Sequence, residues 1–190
     1  SPVIAFFGEA RQKKGLTILL LALAQVCAAP CHGAPTSPPP ALLLVGGVRD
    51  DDGPIVQVFG RQNPALNIRV VPNVTHDQLP AYYRLADVLI APSLRDGMPN
   101  ALLEGMACGL ACIGSHVGGI PDVLRDGVNG RLVPPGDVNA LANALLGLLA
   151  DPLRRSELGR AARATVESEF TPEQELRRNL DAYRNVMGKT

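Results

Sequence analysis

The sequence predicts a single α/β domain over residues 1–190, a Rossmann-like, doubly wound parallel sheet of about six strands with helices on both faces. Short apolar runs such as residues 88–91 are typical of strands that are covered on both sides. Longer apolar stretches at helical spacing, such as residues 138–150, accompany them. A length of 190 residues is enough for one domain with a substantial core.

The same patterns assign the elements in chain order. The predicted strands are residues 3–7, 41–45, 67–71, 88–91, 111–114 and 130–133. The predicted helices are residues 16–28, 78–85, 101–107 and 138–150, one that begins at Pro152, and one from about 172 to 186 that Thr171 caps. The Pro-rich residues 29–40 predict an extended loop, and residues 49–53 predict an exposed acidic turn.

The fourth predicted strand opens the most informative segment. The pair Asp96-Gly97 forms a turn after it, and Pro99 suits the first turn of the helix that follows. A strand, a glycine-containing loop and a helix N-terminus aim backbone N–H groups above the sheet. This arrangement favours an anion, most often a phosphate.

Two acids, Asp96 and Glu104, are built into this segment eight residues apart. Glu104 lies about 7–8 Å along the helix from Pro99 at 1.5 Å per residue. A phosphate at the helix end would leave Glu104 about one ribose away and Asp96 on the other side, beside a second hydroxylated group. The spacing suits a nucleotide-sugar, while a solvated turn aspartate and an exposed helix glutamate remain the alternative.

The motifs D-G-M-P-N-x-x-L-E-G-M-A-C-G, V-G-G-I-P-D and D-G-x-N-G-x-L-V-P-P-G-D resemble the donor-binding half of a known family. This family is the retaining glycosyltransferases of family four, or glycosyl transferases group one, whose GT-B architecture joins two Rossmann-like domains. Its signature is E-x7-E, with Asp96 here in the first position and Glu104 in the second. The resemblance covers nearly the whole chain.

The resemblance also implies site residues in the loop after the first strand. Gly8, Lys14 and Gly15 match a loop whose cations meet the donor diphosphate, and Arg11 is the second cation because Glu9 takes the usual arginine position. Arg11, Lys14 and Asp96 are therefore the implied catalytic residues, with a solvated basic loop as the alternative. The implied donor-binding residues are Gly8, Asn73, Val74, Gly97, Met98, Pro99, Asn100 and Glu104, of which Asn73 and Val74 touch the base through backbone groups.

Strand order offers an independent check. In a sheet of order 3-2-1-4-5-6 the first and fourth strands are neighbours, and ligands bind above their carboxyl ends. The basic loop follows the first strand and the Asp96–Glu104 segment follows the fourth. Sequence order alone therefore predicts that these cations and acids share one crevice.

No cofactor and no divalent metal are expected. The acids of residues 50–52 follow the second strand, away from the crevice, and the ligand hydroxyls account for Asp96 and Glu104. The pairs Cys27-x3-Cys31 and Cys108-x3-Cys112 lack the Cys-x2-Cys spacing of zinc sites. Buried free thiols in a reducing cytosol, and hence a cytoplasmic location, are the expectation.

Composition excludes other partners. With 18 Lys plus Arg and 18 Asp plus Glu, the formal net charge is zero, and no Trp, three Tyr and four Phe leave little for base stacking. No nucleic-acid partner is therefore expected. A signal peptide does not fit, because an apolar strand and Glu9 come before the Leu-rich residues 16–28, which are also too few to span a bilayer.

The sequence thus predicts a domain that binds a nucleotide-sugar for retaining transfer to an unknown acceptor. The resemblance implies an N-terminal acceptor domain that this chain does not contain, a C-terminal helix within residues 171–190 that returns to it, and no activity of the chain alone. Two alternatives stay open: a non-catalytic nucleotide-sugar-binding module and a same-fold sugar-nucleotide epimerase. Peripheral membrane association of the full-length enzyme also stays open.

Overall fold

Six parallel strands form one sheet in the computed structural model, which describes residues 1–29, 39–72 and 74–188. The strands are β1 (Val3–Phe7), β2 (Ala41–Val45), β3 (Asn67–Val71), β4 (Val88–Ala91), β5 (Ala111–Ser115) and β6 (Arg131–Val133). Their order is β3-β2-β1-β4-β5-β6, which confirms the predicted winding. The direction of winding reverses between β1 and β4, the place where ligands bind in such sheets.

Helices cover both faces of the sheet. They are α1 (Leu16–Ala28), α2 (Gly53–Gln62), α3 (Leu79–Leu85), α4 (Asn100–Ala107), α5 (Ile120–Val123), α6 (Val138–Ala150), α7 (Pro152–Glu169) and α8 (Pro172–Met187). The first four predicted strands match the structure residue for residue. The fifth strand extends one residue further than predicted, and the sixth begins one residue later.

The central strand β1 shows how one apolar run supplies two cores. Ile4 and Phe6 pack with α1, α2 and α6 on one face, whereas Ala5 and Phe7 pack with α3 and α4 on the other. Alternate side chains of a strand point to opposite faces, so a strand covered on both sides must be apolar throughout. Burial on both faces fixes the strand and the loop that follows it.

The prediction of an exposed acidic turn at residues 49–53 is wrong in part. Asp50–Asp52 forms a 3-10 turn that runs into α2, and Asp52 is buried with 5% exposure. No helix was predicted over residues 53–62, where the structure has α2. Proline is well suited to the first turn of a helix, and Val56 and Phe59 bury the apolar side of α2.

The expectation of buried thiols is wrong in part. Cys112 is buried, Cys27 is half-buried and Cys108 is exposed, while Cys31 lies outside the described residues. The predicted loop at residues 29–40 falls mostly on residues 30–38, which are also outside them. Within the described ranges, no helix is both long enough and apolar enough to pass through a membrane.

Helix α7 packs closely against the end of α4. A Cβ on Gly159 would lie 2.0 Å from the carbonyl oxygen of Gly109. Replacing Gly159 with Ala must therefore push the two segments apart. We expect Gly159→Ala to lower the free energy of unfolding by about 1–3 kcal/mol, the usual effect of overpacking, as measured by urea denaturation.

Gly147 provides the matched control. It lies in α6, and a Cβ there would meet nothing within 4 Å. Gly147→Ala should raise the free energy of unfolding by about 0.5–1 kcal/mol, because alanine loses less backbone entropy in a helix. A stability loss for Gly147→Ala as large as that for Gly159→Ala would contradict the packing argument.

Candidate functional site

The loops that follow β1 and β4 meet above the carboxyl edge of the sheet. A 3-10 turn at Gln12–Lys14 shapes the first loop, and the Lys13 carbonyl accepts a 3.1 Å hydrogen bond from the Leu94 amide in the second. Gly15 follows the turn with φ of +80°, and a Cβ there would lie 1.9 Å from the carbonyl oxygen of Pro92. Glycine is therefore required for this close approach of two backbones.

Lys14 and Asp96 form an ion pair between these two loops. Lys14 Nζ donates to Asp96 Oδ2 at 2.6 Å, and the buried Ser93 hydroxyl donates to the same oxygen at 3.0 Å. The two side chains are only 27% and 12% exposed. The predicted meeting of basic loop and acidic segment over one crevice is confirmed at this pair.

The ionisation of Asp96 follows from its surroundings. Burial by itself raises the pKa of Asp96, but the hydrogen bonds from Lys14 and Ser93 and the Lys14 charge outweigh burial and lower that pKa below its ordinary value. Asp96 is therefore a carboxylate at neutral pH, and it is not the solvated turn residue of the alternative interpretation.

The loop between β5 and α5 supports the acidic segment from the other side. Gly118 has φ of +54°, and a Cβ there would lie 1.8 Å from the Asp96 carbonyl oxygen. The Gly119 amide donates to the Gly97 carbonyl at 2.6 Å. The backbone that carries Asp96 is thus held between the loops after β1 and β5.

The N-terminus of α4 faces the same crevice. Pro99 precedes the first helical residue, Asn100, and no side chain caps this end. Gly97 and Asn100 are exposed and Met98 is half-buried. The first amides of a helix carry a partial positive charge, so an uncapped end beside Lys14 is suited to an anion.

Glu104 is half-buried on α4, not the exposed helix residue of the alternative interpretation. Its Oε2 accepts a hydrogen bond from the Tyr83 hydroxyl at 2.7 Å. Tyr83 is buried and stacks on Phe7, with ring centroids 3.8 Å apart. Glu104 therefore has a fixed partner within the protein.

For the other predicted site residues, the side-chain contacts that the structure shows are with groups other than the Lys14 and Asp96 side chains. Arg11 pairs with Glu9 at 3.1 Å, and its buried Nε has no hydrogen-bond partner in the described part of the chain. Gly8 is exposed, and its amide donates to the Val45 carbonyl. Val74 is half-buried against the core layer of α3 and α4. Asn73 lies outside the described residues, so its predicted contact has no position here.

Depressions in the described part of the structure include two along this edge of the sheet. The smaller, about 20 Å³, lies at the ion pair and is lined by residues that include Phe7, Lys14, Ser93, Asp96 and Pro99. A wider one of about 510 Å³ lies above β2 and β3, and its lining contains Glu9 and Asp50 but no lysine or arginine among the described residues. An anionic ligand therefore favours the Lys14 side, although the other depression is larger.

The described residues contain no cluster of side chains suited to a metal ion. Across residues 1–29, 39–72 and 74–188, no group of three or more His, Cys, Asp and Glu side chains is arranged to hold an ion. Asp96 already accepts hydrogen bonds from Lys14 and Ser93, and Glu104 accepts one from Tyr83.

Sequence reasoning missed two contributors to the site. One is Ser93, whose position three residues before Asp96 is a local signal for a side-chain contact within a turn. The other is Tyr83, whose ring lies in the core. No sequence signal shows that its hydroxyl reaches Glu104, because that contact depends on the distance between α3 and α4.

Comparison with known proteins identifies the family of the chain. The profile of the family described as glycosyl transferases group 1 matches residues 1–151. An alpha-maltose-1-phosphate synthase of Mycolicibacterium smegmatis is 32% identical over 97% of this chain and 48% of its own length. The sucrose-phosphate synthase of Thermosynechococcus elongatus superposes with a TM-score of 0.82 at 30% identity, over 100% of this chain and 46% of that one.

HepE of Anabaena, crystallised in complex with UDP-glucose, superposes with a TM-score of 0.74 at 22% identity, over 95% of this chain and 48% of that one. At that identity the likeness shows the fold alone. The chain spans less than half the length of each of these three proteins. Because the family profile covers residues 1–151 of 190, the resemblance is confirmed, and the chain belongs to the glycosyl transferases group 1 family.

Proposed function

We propose that this chain binds a nucleotide-diphospho-sugar as the C-terminal half of a retaining glycosyltransferase. The observation that carries the proposal is the Lys14–Asp96 ion pair at the reversal point between β1 and β4. A cation for the diphosphate and a carboxylate for sugar hydroxyls stand there side by side. Ligands of such sheets bind above this point.

The diphosphate would lie at the uncapped N-terminus of α4, within reach of Lys14. Departure of the sugar leaves negative charge on the diphosphate, and fixed cations and helix amides stabilise that charge. Arg11 is the proposed second cation. Its buried Nε lacks a hydrogen-bond partner in the described chain, so a phosphate oxygen would satisfy it.

The two acids would bind the hydroxyl groups on either side of the diphosphate. Both side-chain hydrogen bonds to Asp96 end on Oδ2, which leaves lone pairs on Oδ1 for a sugar hydroxyl. Glu104 accepts one hydrogen bond on Oε2 and would accept the adjacent ribose hydroxyls with its remaining lone pairs. The complex of HepE with UDP-glucose supports a donor of this class.

A second domain would supply the acceptor. This chain covers about half of its relatives, and α8 exposes Leu176, Leu180 and Tyr183 at helical spacing. We infer that this apolar stripe packs on the N-terminal domain of the full-length enzyme.

The proposal is tested in two stages. Thermal shift and calorimetry with UDP, GDP and ADP on the 190-residue chain should identify one nucleoside diphosphate that binds. Transfer by the full-length protein from the matching sugar donor, with the anomeric configuration of the product assigned by NMR, would then test retention. Binding without transfer would indicate a non-catalytic module, and an inverted product would exclude retention.

Lys14 is tested by comparing ligands with and without phosphate. Lys14→Ala should weaken binding of the nucleoside diphosphate by about tenfold or more, or 1.4 kcal/mol. The affinity for the bare nucleoside should hardly change, because only the phosphates face the cation. Arg11→Ala should act in the same direction. The measurement is calorimetric titration of both ligands.

Lys13 is the matched control, since it lies in the same 3-10 turn and is exposed. Lys13→Ala removes the same charge and should leave both affinities nearly unchanged. If Lys14→Ala weakened binding of the nucleoside and of the nucleoside diphosphate equally, the loop would contact the base or support the fold instead.

Glu104 is tested by removing its charge. Glu104→Gln should weaken binding of the nucleoside diphosphate by about 1.5–3 kcal/mol, the range for hydrogen bonds to a charged group. Calorimetry provides the affinity, and circular dichroism checks the fold. An unchanged affinity in a folded variant would remove Glu104 from the site.

Metal independence is tested by titrating the nucleoside diphosphate in EDTA and again in millimolar Mg²⁺ or Mn²⁺. The affinities should agree, because Lys14, Arg11 and the helix amides meet the phosphate charge. If metal raised the affinity for the nucleoside diphosphate by about tenfold, or 1.4 kcal/mol, Asp96 or Glu104 would have to coordinate a metal ion.

A further inference from the structure

Tyr83 is held rigidly in a place where the proposed reaction gives it no role. Its ring is buried, with 2% exposure, and stacks on Phe7 at a centroid distance of 3.8 Å and an interplanar angle of 17°. Phe7 is the last residue of β1 and directly precedes the basic loop. A stacked and buried ring leaves the hydroxyl of Tyr83 little freedom of position.

That hydroxyl points at the carboxylate of Glu104. The oxygen of Tyr83 is 2.7 Å from Glu104 Oε2 and 3.3 Å from the Ala101 carbonyl oxygen. A hydroxyl has one proton to donate, and the shorter, charged contact takes it. Burial, together with the hydrogen bond and the charge of Glu104, raises the pKa of Tyr83, so the hydroxyl stays protonated as a donor.

The approach of α4 depends on its own Gly105, which follows Glu104. A Cβ on Gly105 would lie 2.4 Å from Leu89 Cδ2 on β4 and 3.6 Å from Tyr83 Cε1. Glycine therefore lets the helix lie close to β4 with the Tyr83 ring beside it. This contact brings Glu104 within reach of a hydroxyl that belongs to another helix.

We propose that Tyr83 is a positioning residue that fixes the Glu104 carboxylate for the vicinal hydroxyls of a ribose. The inference rests on the proposed function, and it deepens the role of the same site. A glutamate side chain has several rotamers and loses their entropy when it binds a ligand. Tyr83 removes that freedom before the ligand arrives, so less is lost on binding. Only ligands that carry both ribose hydroxyls gain from this fixation.

The test compares two ligands on the 190-residue chain. They are whichever of UDP, GDP and ADP binds the native protein most tightly, and its 2′,3′-dideoxy analogue. Tyr83→Phe keeps the ring and its stacking but removes the donor. By calorimetry we expect the affinity of Tyr83→Phe for the ribose ligand to fall by about tenfold, or 1.4 kcal/mol. The dideoxy analogue should bind the variant as tightly as it binds the native chain.

Two controls separate positioning from structure. Tyr82→Phe removes a hydroxyl from the neighbouring, half-buried tyrosine, for which no hydrogen bond to Glu104 is found, and it should change neither affinity. If Tyr83 acts through Glu104, Tyr83→Phe should add no further loss in a Glu104→Gln background. Unchanged binding of the dideoxy analogue also shows that the variant has folded.

Each outcome is decisive. Equal weakening of both ligands, or the full loss repeated in the Glu104→Gln background, would assign Tyr83 to the fold alone and overturn the inference. Native affinity of Tyr83→Phe for the ribose ligand would overturn it while the proposed function stands. A folded native chain that binds none of the three diphosphates would overturn both.

Discussion

The ion pair between Lys14 and Asp96 is the contact on which the site depends. It joins loops that are 82 residues apart in sequence and neighbours in space, because β1 and β4 lie side by side. Each charge is largely withdrawn from water, so either one alone would be destabilising. The two charges neutralise each other, and Ser93 adds a second donor to the carboxylate. A donor would enter a site whose charges are already in place.

Backbone packing keeps that pair in position. Gly15 and Gly118 occupy conformations that leave no room for a side chain, so the loops after β1 and β5 press directly on the segment around Asp96. The strands from which these loops emerge are buried on both faces, so the ends of the loops have little conformational freedom. The polar groups of the site are therefore arranged by an apolar scaffold, and the rings of Phe7 and Tyr83 extend this support to Glu104.

The fold was predictable because its signals are local and strong. A continuous apolar strand such as β4 can be recognised from its own residues. The same is true of a turn such as Asp96-Gly97. The exposed turn predicted at residues 49–53 is wrong in part, because Asp52 is buried and the chain continues directly into α2, where Pro54 suits the first turn. The meeting of Lys14 with Asp96 followed from strand order. The pairing of Arg11 with Glu9 and the bond from Tyr83 to Glu104 depend on side-chain distances that sequence patterns do not contain.

We propose that a nucleoside diphosphate binds at the reversal point between β1 and β4. Mapping of backbone amide shifts by NMR, during titration with whichever of UDP, GDP and ADP binds, tests it most directly. We expect the largest shifts at Gly97, Met98 and Asn100 and in the loop around Lys14, where amides and a cation would face the phosphates. Shifts concentrated instead at residues 46–53, above β2 and β3, would contradict it.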